Sequence, residues 1–150
     1  TVNTLLGNEF FLPCNTGIDD IIRIVPSITK SNGKEYIYKG ISRVKMEGEE
    51  HVDIEDIQFN ENFEVFSKNP HSAFYFLNSN RIEYLKQLRQ NNIISMVITN
   101  QGLYIATNKR TTFFEMPMII NGMELTEEKF EKELKEFEKL ISEYKKIVEL

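Results

Sequence analysis

At 150 residues the chain has the length of one domain around a single core, and its 41% hydrophobic and 27% charged residues exclude wholesale disorder. A formal net charge of -5 opposes contact with phosphate backbones, so nucleic acid is not an expected partner. The compact basic spot at Lys109-Arg110, beside Thr111-Thr112, reads as a solvated hairpin tip rather than a nucleic-acid stripe.

The first twenty residues hold apolar groups, Leu5-Leu6 and Phe10-Phe11-Leu12, that Pro13 and Gly17 interrupt, and they predict no definite element. Ile21 to Val25 is a β-branched run ended by Pro26, which reads as a strand. Asn32-Gly33 accepts the positive φ angles of a tight hairpin, and Tyr36-Ile37-Tyr38 and Ile41 to Met46 beyond it read as further strand. Gly48-Glu49-Glu50 is a polar loop. Ile57-Gln58-Phe59 and Phe63 to Phe66 then predict two strands of a hairpin around an Asn60-Glu61-Asn62 turn.

Helix signals begin at Asn69, a capping side chain followed by Pro70 at the first helical position. Asn80 with Glu83 resembles a capping box for a second helix, which turns Ile82, Leu85 and Leu88 inward and ends at Asn91-Asn92. Ile94, Met96 and Ile98 alternate with Ser95, Val97 and Thr99, as a half-buried strand requires. Gln101-Gly102 turns the chain into Leu103 to Thr107, and Asn108-Lys109-Arg110 turns it again toward Phe113-Phe114, which predicts an antiparallel meander. A second Asn-Gly pair, Asn121-Gly122, precedes Thr126, a cap for a long final helix with Glu127 and Glu128 in its first turn. Phe130, Leu134, Phe137, Ile141, Tyr144 and Val148 recur at helical spacing, so this stripe is expected to face the sheet, with Glu131, Lys132, Lys135 and Glu138 in water. Pairing with a partner as a two-stranded coil is the alternative, since the repeat approaches a heptad. Together these elements predict an α+β class: a mainly antiparallel sheet, two short central helices and a long C-terminal helix packed on the sheet.

Residues with chemistry are sparse. His51 and His71 belong to no metal or catalytic motif and read as a loop and a rim residue. Cys14 excludes an internal disulfide and fits a reducing compartment. A nucleophilic Cys14 activated by a histidine is conceivable, but a small buried thiol is the simpler reading. Asp53-x-Glu55-Asp56 lacks the glycine and the spaced glutamate of a calcium loop and reads as a charged strand edge. Walker, dinucleotide and nucleophile-elbow motifs are absent, and no cofactor or metal is expected. Met116, Met118 and Met123 gather around Pro117 and the Asn121-Gly122 turn. Methionine adapts to irregular partners, so these three are the candidate ligand- or partner-binding residues, with packing beneath the last helix as the alternative.

The ordered set Ile54–Ser67 (I-E-D-I-Q-F-N-E-N-F-E-V-F-S), Asn69-Pro70, Ala73–Leu77 (A-F-Y-F-L), Ile82–Leu85 and Ile94–Ala106 resembles the bacterial domain of unknown function 3137 family. With the apolar final helix, the resemblance spans residues 52–148. It implies a soluble domain that often follows membrane-spanning helices in full-length bacterial proteins. It implies no activity, and no functional residue is carried over.

The chain is expected to be one soluble domain, a piece of a longer protein because it begins at Thr1 rather than Met. It has no apolar run long enough to cross a bilayer, so a membrane is expected only through segments absent from this chain. The expected location is cytoplasmic, with membrane tethering in the full-length protein. The expected function is a non-enzymatic interaction or ligand-binding domain, its partner an unknown protein or small ligand. The alternative is an enzyme with a carboxylate or Cys14-based site.

Overall fold

The computed structural model describes residues 8–27, 30–31, 34–35, 45–88, 93–107 and 127–150. In chain order these form β1 (Asn8–Pro13), β2 (Ile22–Pro26), the two-residue strands β3 (Lys30–Ser31) and β4 (Lys34–Glu35), and β5 (Glu50–Val52). Next come α1 (Ile57–Asn62), β6 (Phe63–Ser67), α2 (Pro70–Phe76), α3 (Ser79–Leu88), β7 (Ile93–Thr99), β8 (Gly102–Thr107) and α4 (Glu127–Glu149). Six strands make one sheet in the order β1-β8-β7-β2-β6-β5, each antiparallel to its neighbours. β3 and β4 pair separately on either side of Asn32-Gly33. The class is α+β, as the hairpin signals predict.

Alternation gives this sheet two faces. Register sets Phe10 opposite Ile105, Ile105 opposite Met96, Met96 opposite Ile24 and Ile24 opposite Val65, so one row of apolar side chains crosses five strands. Helices cover this inner face: Phe59 of α1, Ala73 and Phe76 of α2, Leu85 and Leu88 of α3, and Tyr144 and Ile147 of α4 join it in one buried cluster. Burial holds the Tyr144 phenol un-ionised well beyond its usual range, with its pKa pushed up to about 12.

Capping explains where the short helices start. Asn69 Oδ1 accepts the His71 N–H at 3.1 Å with Pro70 at the first position of α2, as predicted. Residues 57–62 correct the predicted hairpin, because they form a helical turn rather than a strand. Asp56 Oδ1 accepts the Phe59 N–H at 2.8 Å, which closes that turn, and Lys86 of α3 holds the other carboxylate oxygen at 2.9 Å. Phe59 is fully buried while Ile57 is 82% exposed, an asymmetry that the short apolar run did not reveal. The cap of α3 is also shifted: Asn78, not Asn80, accepts the Arg81 N–H at 2.9 Å.

A turn joins β7 to β8 as expected, but it falls on Asn100-Gln101 rather than Gln101-Gly102, because Gly102 already pairs with Thr99 as the first residue of β8. β1 fills the far side of β8, so the sheet continues there with the N-terminal strand. Gly102 allows this close pairing: its φ is +154°, and a Cβ there would collide with the Leu12 carbonyl. The predicted strand at 36–38, residues 41–44 of the one predicted at 41–46, the apolar pair 113–114, the Asn121-Gly122 turn and the Thr126 cap lie outside the described residues. Lys45 and Met46, the end of the 41–46 segment, are described and are not in a strand.

α4 docks by its C-terminal half. The Phe10 ring centroid lies 6.0 Å from that of Phe137 and 5.3 Å from that of Tyr144. The last-turn carbonyls have no intrahelical donors, and the Arg81 guanidinium supplies them, bonding the Ile147 and Val148 oxygens at 2.8 and 3.0 Å. Its third bond, 2.9 Å to the Phe76 carbonyl, ties α2 into the same joint. The expectation that the whole stripe faces the sheet therefore needs correction: Phe130 and Leu134 are 43% and 38% exposed. A helix of 23 residues is about 34 Å long, whereas a strand of six or seven spans about 20–23 Å. The described strands are shorter than the helix, and Phe130 and Leu134 lie in its N-terminal third, away from the Phe10 contacts.

Candidate functional site

The outer face of the sheet carries Glu9 and Phe11 of β1, Tyr104 and Ala106 of β8, Ser95 and Val97 of β7, then Arg23, Phe66 and His51 toward the β5 edge. Registers Phe11↔Tyr104↔Val97↔Arg23↔Phe66↔His51 place these side chains in a row. The two ends of this row differ in chemistry.

At the β5 end, Arg23 and Glu49 form a buried two-point ion pair, Nε to Oε1 at 3.2 Å and Nη2 to Oε2 at 2.7 Å. Glu49 Oε2 also accepts the Met46 N–H at 3.0 Å. Gly48, at φ +81°, makes the turn that brings Glu49 over the sheet. The guanidinium sits 4.8 Å from the Phe66 ring centroid, and His51 meets that ring edge-on at 5.3 Å. The Arg23 hydrogen bonds hold the Glu49 carboxyl below its usual range, against the opposing effect of burial. This end is closed and fully bonded, which suits a structural clamp.

At the β1 end the face is open. The Phe11 and Tyr104 rings stack with centroids 4.4 Å apart and planes 25° apart, and both side chains remain nearly half exposed. They border a cavity of about 600 Å³ that Glu9, Ser95, Val97 and Ala106 also line. That size accommodates a small ligand or the side chains of a partner. Its walls are mainly apolar, with the Glu9 carboxylate, Ser95 hydroxyl and Tyr104 phenol as the polar groups. Such a surface can bind by apolar burial and ring stacking.

Among the described residues the sequence candidates sit on different elements. Met116, Met118 and Met123 lie outside the described residues. Cys14 follows β1, where its N–H donates to the Gln101 carbonyl at 3.2 Å, and burial pushes its thiol pKa up, away from the reactive thiolate. His51 is on β5, five strand spacings away, about 24 Å across the sheet. It faces Asp53 at 3.4 Å. His71 lies on α2 and borders a groove of about 310 Å³ with Asp19, Asp20, Ser72 and Tyr75. Asp20 Oδ2 accepts there from Asn69 Nδ2 at 3.1 Å and Ser72 Oγ at 3.0 Å. Of the acidic cluster, Asp56 serves as the α1 cap; among the described residues no group of three or more His, Cys, Asp or Glu is arranged to hold a metal ion. Sequence reasoning missed Phe11 and Tyr104 as surface residues. The available signal was their alternation with Phe10, Leu12, Leu103 and Ile105, which assigns them to the opposite face.

The family model described as "Protein of unknown function (DUF3137)" matches residues 6–147. The match therefore includes β1 and β2, beyond the span on which the sequence motifs rest. No curated protein and no solved structure matches the chain.

Proposed function

We propose that this chain, which belongs to the DUF3137 family, is a non-enzymatic interaction or ligand-binding domain that makes its contacts through the outer face of β1, β8 and β7. The observation that carries this reading is the stacked, half-exposed Phe11–Tyr104 pair beside a cavity of about 600 Å³. Exposed aromatic side chains forgo burial in the free domain and regain it on contact with an apolar partner, which is why they concentrate at binding surfaces. The separation of Cys14 from His51 and the raised thiol pKa also favour binding over nucleophilic chemistry. The reading extends to a bacterial, cytoplasmic protein whose membrane tether lies in segments outside this chain. Its support is the family resemblance, together with the described helices, none of which is long and apolar enough to cross a membrane.

The test is capture from the native host with full-length protein, comparing the parent with a Phe11→Ser/Tyr104→Ser variant. The parent is expected to retain a protein or small ligand that the variant loses, while the thermal midpoints stay close. Equal retention by both would reject this face as the contact surface. A folded Cys14→Ser protein should keep the parent's biological role; its loss would instead support the enzymatic alternative.

A further inference from the structure

We draw no further inference here: the strongest candidate, the groove between the Gly17–Asp20 turn and α2 lined by Asp19, Asp20, His71 and Tyr75, rests on an acidic surface cluster alone, with nothing in the structure that points to a ligand.

Discussion

On the inner face Ile22, Ile24, Met96, Ile98, Leu103 and Ile105 are at most 1% exposed, while on the outer face Phe11 and Tyr104 keep 45% and 42% of their surface in solvent. Adjacent residues of the same strands thus meet opposite fates. The difference lies in what each face is given to pack against. Four helices converge on the inner face, and each large apolar side chain buried there contributes about 1.5–3 kcal/mol. The outer face is sealed at the β5 end by an ion pair and left open at the β1 end. Stability should therefore be concentrated on one face and binding capacity on part of the other.

The contrast predicts a graded series of losses. Phe76, fully buried on α2 with the Arg81 guanidinium carbon 4.4 Å from its ring centroid, should be the most sensitive of the four positions considered. Phe76→Ala should cost about 3–5 kcal/mol in urea denaturation, and a loss below about 1 kcal/mol would mean the inner face is not what holds the domain together.

Glu49→Ala should cost about 3 kcal/mol, because it leaves the buried Arg23 guanidinium without its carboxylate. The folded pKa of Glu49 lies below its usual 4.5. Its contribution is therefore present above that unfolded value and is lost as pH falls through the lower, folded one. Unfolding free energies measured from pH 7 down to pH 3 should fall more steeply for the parent than for Glu49→Ala. Parallel curves would remove the pair from the account of the outer face.

Phe137, half-buried against Phe10, should lose less than Phe76 on replacement by alanine, about 1–3 kcal/mol. A Phe137→Ala protein as stable as the parent would show that α4 is held by Tyr144, Ile147 and the Arg81 joint alone. Tyr104→Ser should have the smallest effect, below about 1 kcal/mol, since a half-exposed cross-strand aromatic pair contributes only that much. A loss as large as that of Phe76 would abolish the distinction between the faces.

Much of the fold was legible because its signals are local. Asn69-Pro70 announces α2, the alternation from Ile94 to Thr99 announces β7, and Gln101-Gly102 announces its hairpin to within one residue of the observed Asn100-Gln101 turn. The stripe of α4 correctly identified Tyr144 as buried but overstated Phe130 and Leu134, since periodicity names a face without saying how much of it is covered. The 57–62 turn failed for a related reason: a single cap at Asp56 outweighed a short apolar run whose period was ambiguous.

The amino-acid sequence by itself determined the α+β class, the antiparallel pairing of β7 with β8 and of β3 with β4, and the family, because turn residues, caps and alternation act over a few positions. Only the tertiary structure decided that β1 lies beside β8, that Arg23 closes on Glu49, and that Phe11 and Tyr104 remain half-exposed when Phe10 does not. Those outcomes depend on pairings between distant segments and on where the helices settle. An outward-facing aromatic and a core aromatic are the same letter until one face of the sheet is covered.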